Sequence, residues 1–191
     1  AASVAHEIRN PLTSVRGLVQ LFAADRVDAD KRKYYQQLCL EEIDRAHHLL
    51  TDYLALTKPG PEKMEPIHVR GEMVYVSNVL QSYARFTGVE ICMIEGGSDG
   101  PPIIRGDRNK LRQALINIGK NAIESMQNGG VLEIGSASFD GKVSIVFQDT
   151  GTGMSEEQIR RIGTPFYSTK EHGTGLGMMV SFQIIQNMGG T

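Results

Sequence analysis

Apolar residues at Val4, Ile8, Leu12, Val15, Val19 and Phe22 recur at steps of three and four, the spacing that lines one face of an α-helix. The pattern predicts a helix over 1–24. A charged loop is expected over 25–33, after which Tyr35, Leu38, Cys39, Ile43, Ala46, Leu50, Tyr53 and Leu56 fall near one face of a second helix. Lys58-Pro59-Gly60-Pro61 ends it, because proline has no amide hydrogen and clashes with the preceding turn. Two amphipathic helices cannot cover both of their own stripes. Two copies packed as a four-helix bundle can, so a homodimer is expected.

Past a linker at 59–64 the pattern changes. A helix is predicted over 72–86, stopped by Gly88, then strands over 89–94 and 103–105. Asp107 can accept from the orphan amides of a long helix that reaches about Met126. Runs at 131–138 and 142–148 flank Asp140-Gly141, a pair that favours tight hairpin turns. A short helix follows over 156–161, and a last one starts near Gly175. Strands and helices in this alternation imply an α/β sandwich, with domains at 1–60 and 61–191.

Composition narrows the function. The 191 residues are 40% apolar, enough to bury a core. A net charge of −2 and a pI near 6.2 speak against nucleic acid as a partner, which would call for a clustered basic excess. Cys39 and Cys92 are too few for a disulfide framework or a zinc site, and they suit a reducing compartment. No apolar run approaches the roughly 18 residues of a membrane span, and no signal peptide is visible.

The chemistry begins on the first helix. His6 and Asn10 lie off its apolar stripe and, four apart, share a face with Arg9 beside them, while Glu7 stands about 100° round. Pro11 should bend the helix just beyond. A neutral imidazole can attack phosphorus, and a carboxylate that holds its ring N–H decides which nitrogen presents the lone pair. Glu7 is the candidate for that task. Alone, the cluster also reads as a solvated helix surface, so its weight depends on what accompanies it.

In the helix after Asp107, Gln113, Asn117, Asn121 and Glu124 form one polar line beside the apolar stripe of Leu111, Leu115, Ile118 and Ala122. An unpaired buried amide costs about 1–3 kcal/mol, so the line must meet protein groups or a ligand. Asparagine oxygens suit Mg²⁺, which takes hard donors and shares its shell with phosphates. Asp149-Thr150-Gly151-Thr152-Gly153 follows a predicted strand, where glycines permit a tight turn and the carboxylate can accept from an exocyclic amine such as adenine's. Gly173-Thr174-Gly175-Leu176-Gly177 opens the last helix, whose free amides and dipole attract phosphate. It is neither a P-loop nor a dinucleotide fingerprint. Pro165-Phe166-Tyr167-Ser168-Thr169-Lys170 lies between, in a loop long enough to close over a ligand.

In order, His6 to Pro11, Asn117 to Ser125, Asp149 to Gly153, Pro165 to Lys170 and Gly173 to Gly177 resemble the H-, N-, G1-, F- and G2-boxes of sensor histidine kinases. The resemblance covers essentially the whole chain, and HEIRNPLTSVRG with PFYSTKEHGTGLG is similar to the sporulation-kinase branch of spore-forming bacteria. It implies a helical-hairpin dimerisation and phosphoacceptor domain, then a Bergerat-type α/β sandwich that binds ATP and Mg²⁺. It also implies that His6 is the phosphoacceptor, Glu7 its orienting base, and Asn121 the Mg²⁺ ligand, with Asn117 near the phosphates and Glu124 near the metal's water shell. Asp149 would read the adenine amine, and Gly151 and Gly153 would shape the base pocket. Lys170 with Gly173, Thr174, Gly175, Leu176 and Gly177 would hold phosphates in a mobile lid, and Phe166 would be a hydrophobic clasp. Asn10 could align water for a regulator phosphatase activity.

The implied partners are the receiver domain of a response regulator in a phosphorelay and small inhibitory proteins on the hairpin. The chain begins without Met inside a helical pattern and stops after Gly189-Gly190, where the family continues into a β-hairpin. A cytoplasmic piece of a cytosolic or membrane-anchored sensor is therefore expected. Two rivals stand beside the kinase. An ATPase on the same fold carries an acidic base one turn before the metal asparagine, where this chain has Asn117, an amide that cannot act as one. An inactive dimeric scaffold is disfavoured by intact His6, Asn121, Asp149 and G2 glycines.

Overall fold

The computed structural model describes residues 2–22, 28–57, 63–98, 100–170 and 173–191. The start of the loop expected at 25–33 and most of the linker expected at 59–64 lie outside the described residues. The chain forms two compact units, Ala1–Gly60 with Pro165–Leu176, and Pro61–Thr164 with Gly177–Thr191. No described helix is long and apolar enough to cross a membrane.

The first unit holds α1 (Ala2–Phe22) and α2 (Ala29–Thr57), packed against each other. The helix starts earlier than the charged run suggested, because Asp28 caps it. Its Oδ1 accepts from Lys31 N at 2.8 Å and its carbonyl from Arg32 N at 3.0 Å. The Lys31 amide, assisted by the Lys31 ammonium, holds the Asp28 carboxyl below its ordinary range. Helix α1 runs on through Pro11, which is buried, so the expected bend does not interrupt it. Phe22 meets Tyr35 edge to face at 6.2 Å near the hairpin's end. Leu12 and Val19 of α1 remain 51% and 53% exposed and Ile43 and Leu50 of α2 47% and 44%, so much of both apolar stripes is uncovered in one copy.

The second unit runs β1 (Glu65–His68), α3 (Val69–Thr87), β2 (Val89–Ser98), β3 (Ile103–Gly106), α4 (Arg108–Glu124), β4 (Gly130–Phe139), β5 (Lys142–Asp149), α5 (Glu156–Arg161) and α6 (Gly177–Asn187). Sheet order is β2-β4-β5, with β2 parallel to β4 and β4 antiparallel to β5; β1 pairs antiparallel with β3. Strand β1 escapes a pattern reading because Pro66 sits in it, which only an outer strand tolerates. Asp140 and Gly141 both take positive φ, at 50° and 69°, as the tight hairpin between β4 and β5 requires. Helix α6 begins two residues later than expected, since Gly175 at φ 66° cannot be helical.

Leu80, Leu111, Leu115, Leu132 and Ile134 anchor the core beneath α3 and α4. Gly119 lets those two helices approach, because a Cβ there would strike the Leu80 side chain. Asp107 caps α4 through Oδ1, accepting from Asn109 N at 2.9 Å and Lys110 N at 3.1 Å, while Oδ2 accepts from Lys63 N at 3.3 Å. Buried Glu72 pairs with Arg108 and Arg112, and Arg108 Nε donates to Glu65 at 2.8 Å. That hydrogen bond from Arg108 holds the Glu65 carboxyl below its usual value. Arg112 also stacks on Tyr75, 3.8 Å from the ring centre. The network fixes the start of α4, and so the pitch of the polar line along it.

Candidate functional site

The expected site residues divide between the two units. In the first, a pocket of about 320 Å³ is lined by Glu7 and Asn10 of α1, Arg45 of α2, and Phe166, Ser168, Lys170, Gly173 and Thr174 of the loop at 165–176. His6 is exposed and is not among the lining residues. Glu7, the next residue, is half-buried. An exposed imidazole beside a pocket-lining carboxylate is free to meet a phosphoryl donor from solvent.

Local bonds shape the loop. Ser168 Oγ accepts from Lys170 N at 3.1 Å, Gly173 N donates to Lys170 O at 3.2 Å, and Leu176 N donates to Thr174 Oγ1 at 3.3 Å. Phe166 takes φ 61°, uncommon for a residue with a side chain and a strain of order 1–3 kcal/mol. It sits against Gly175, where any Cβ would collide with the Phe166 and Tyr167 backbone. The glycine is thus required by the loop's own fold, whatever it binds. Arg45 and Ser168 were not singled out from sequence. Ser168 lies inside the F-box, but nothing in the local pattern distinguishes Arg45 from other off-stripe charges on a long helix.

In the second unit the polar line of α4 is only partly buried. Gln113, Asn117 and Asn121 are half-buried and Glu124 is exposed. Asn117 Nδ2 donates to Gly177 O at 3.4 Å, tying the line to the first residue of α6, and Ser181 Oγ reaches Ala114 O at 3.4 Å. Asn121 and Glu124 each have interactions as well. Asp149 ends β5 with an exposed carboxylate whose Oδ1 accepts from Gly151 N at 2.9 Å and from Ser125 Oγ at 3.2 Å. Ser125, the last residue of the N-box string, thereby joins the site, though no role was singled out for it from sequence. A side chain at Gly151 would strike the Ser125 hydroxyl. Thr150 Oγ1 accepts from Val131 N at 3.0 Å, and Thr152 N donates to Ser125 O at 3.3 Å, so the turn is pinned on both sides. Gly153 follows at φ 67°.

These donors fit a nucleotide and its cation. The Gly151 amide on Oδ1, with the Ser125 hydroxyl shared between Oδ1 and Ala122 O at 2.7 Å, orients the Asp149 carboxylate, as reading an exocyclic amine demands. Among the described residues no three His, Cys, Asp or Glu side chains cluster to hold a metal unaided. An Asn121 oxygen completed by phosphates and water is the donor set that Mg²⁺ accepts. Both cysteines are free thiols, and burial, with Glu90 and Glu133 nearby, pushes the Cys92 thiol up, which makes it a poor nucleophile.

Comparison with known proteins places these parts. Residues 1–62 match the family model described as "His Kinase A (phospho-acceptor) domain", and residues 106–191 match "Histidine kinase-, DNA gyrase B-, and HSP90-like ATPase". Sporulation kinase B of Bacillus subtilis (strain 168) is 39% identical over 100% of this chain and 44% of its own length. Sporulation kinase A of the same organism is 38% identical over 98% of this chain and 30% of its own. The chain spans about half the length or less of the curated relatives it matches. Among solved structures, histidine kinase ThkA in complex with response regulator protein TrrA superposes with a TM-score of 0.80 at 26% identity, over 99% of this chain and 54% of that one. Full-length ShkA in complex with AMPPNP gives 0.70 at 26% identity, over 98% and 40%.

Proposed function

Because the chain belongs to the sensor histidine kinases, we propose that it phosphorylates its own His6 from ATP and passes the phosphoryl group to an aspartate of a response regulator in a sporulation-type phosphorelay. The observation that carries the reading is the exposed His6, inside a phospho-acceptor match and next to pocket-lining Glu7. Residues 1–60 act as the dimerisation and phosphoacceptor domain and 61–191 as the ATP-binding domain. The exposed apolar faces of α1 and α2 support pairing of two copies.

Glu7 holds one ring nitrogen of His6 protonated, so the other presents its lone pair to the γ-phosphorus. The new N–P bond forms as the bond to the bridging oxygen breaks, and that oxygen leaves on ADP with the electron pair. The regulator's carboxylate oxygen then attacks phosphorus and the imidazole leaves. Asp149 accepts from the adenine amine in a turn shaped by Gly151 and Gly153. Asn121 would ligate Mg²⁺, with Asn117 toward the phosphates and Glu124 toward its waters, and the cation would neutralise charge on the leaving oxygens. Lys170, Gly173, Thr174, Gly175, Leu176 and Gly177 take the phosphate-holding role, and Phe166 packs as a clasp.

A second reading is favoured by one observation, that Asn10 shares the pocket with Glu7. Its amide aligns water against the regulator's acyl phosphate, giving phosphatase activity. The small inhibitory proteins of the sporulation branch would grip α1 and α2. Incubation with γ-labelled ATP and Mg²⁺ tests the main reading. Acid-labile label on the wild type, absent from His6→Ala, is expected; label that survives the substitution refutes it.

A further inference from the structure

The role of one pocket residue is not accounted for by that reading. Arg45 Nε is buried and meets no hydrogen-bond partner among the described residues. Folded proteins pair nearly all such groups, and an exception calls for an explanation, a bound ion or ligand among them. Glu42 does not supply the pairing, since its Oε1 stands 4.0 Å from Arg45 Nη1, beyond hydrogen-bond reach. Beside Arg45 the pocket is lined by the Asn10 amide, the Thr174 hydroxyl and the Lys170 ammonium, with Glu7 as the carboxylate among the lining residues, while the Ser168 hydroxyl is turned to Lys170 O at 3.3 Å. A space lined so heavily by donors suits an oxyanion. The planar guanidinium fork matches two oxygens of a phosphoryl group, and a second cation offsets the nearby carboxylate.

Resting on the kinase reading, we infer that Arg45 binds the phosphoryl group in transit to His6, gripping its non-bridging oxygens from α2. Arg45 neither gives nor takes a proton. It keeps hold of two non-bridging oxygens while phosphorus exchanges its bridging oxygen, which departs on ADP, for the His6 nitrogen. Held from this side, the phosphoryl group is presented in line to the imidazole and shielded from the Glu7 charge.

The test uses the full chain and the variants Arg45→Gln and Arg45→Lys. The Arg45 Nε–Hε resonance, identified by its loss in both variants, should move on titration with inorganic phosphate but not with chloride. Arg45→Gln should lower the maximal rate of His6 labelling by roughly 10- to 100-fold. Binding of ADP, which lacks the transferred group, should stay within about twofold of wild type, and Arg45→Lys should restore part of the rate. Wild-type labelling in Arg45→Gln, or a resonance that phosphate leaves unmoved, overturns the inference. So does a rate loss that tracks a fall in melting temperature with full recovery in Arg45→Lys, since that marks a purely structural role. A wild-type chain that takes up no label refutes the kinase reading instead, and phosphate-driven movement of the Arg45 resonance would then still establish an oxyanion site.

Discussion

Helices α1 and α4 both carry a polar face with candidate chemistry, yet they are held in opposite ways. Helix α4 is locked inside its own unit, capped by Asp107, anchored by Glu72 through two arginines, and pressed against α3 at Gly119. Helix α1 packs against α2 and leaves Leu12 and Val19 about half exposed. A site that must recognise one nucleotide gains from preorganised donors. A histidine that must meet both a phosphoryl donor and a separate regulator gains from an open surface. The contrast supports the proposed division, with recognition in the second unit and exchange in the first.

The largest effect should fall on the locked side. Asp149→Asn exchanges a charged acceptor for an amide where two donors already point, and it should weaken ATP binding by about 100-fold, read by equilibrium dialysis. Far-UV circular dichroism should be unchanged, because the carboxylate is exposed. Comparable binding in the variant would move adenine recognition elsewhere.

Next in size is the open side. Leu12→Asp with Val19→Asp places charges on the uncovered stripe and should convert dimer to monomer in sedimentation equilibrium at micromolar concentration. Nucleotide affinity should hold. A dimer that persists would assign the exposed stripe to another partner.

Asn10→Ala comes third. Regulator dephosphorylation should slow by about tenfold while His6 labelling changes little. Equal effects on both rates would make Asn10 a general pocket residue.

The smallest effect is acid sensitivity in the second unit. Folded Glu65 titrates below its ordinary value, chiefly through the hydrogen bond from Arg108. Its contribution is therefore complete above the unfolded value of 4.5 and is lost as pH falls through the lower folded value. Thermal melts of Glu65→Gln should show a shallower loss of stability below that pH than wild type. Parallel pH profiles would remove the link.

Local chemistry explains what could be read before any coordinates. The Asp140-Gly141 turn and the Asp107 cap depend on residues a few positions apart, and both form as the pattern implied. The short helix α5 is likewise bounded by its own capping box, Ser155 with Gln158. Strand β1 was hidden because its pairing with β3 is made across the fold, against the local signal of Pro66. The start of helix α2 is not legible in sequence because its charged first turn resembles a loop, and only the Asp28 carboxylate accepting from Lys31 N makes it helical. The site divides in the same way. Asp149, Asn117 and the glycines stood in recognisable strings, and so did Ser125, but its hydrogen bond to Asp149 is made across 24 positions and Arg45 reaches the loop pocket only through tertiary packing.

In the proposed reaction the His6 imidazole receives a phosphoryl group. Phosphorus NMR of the intact chain after incubation with ATP and Mg²⁺ tests it directly. A phosphoramidate resonance that appears in wild type and is missing from His6→Ala is the predicted result. A phosphate ester or acyl phosphate signal in its place, or a phosphoramidate retained in His6→Ala, would contradict the account.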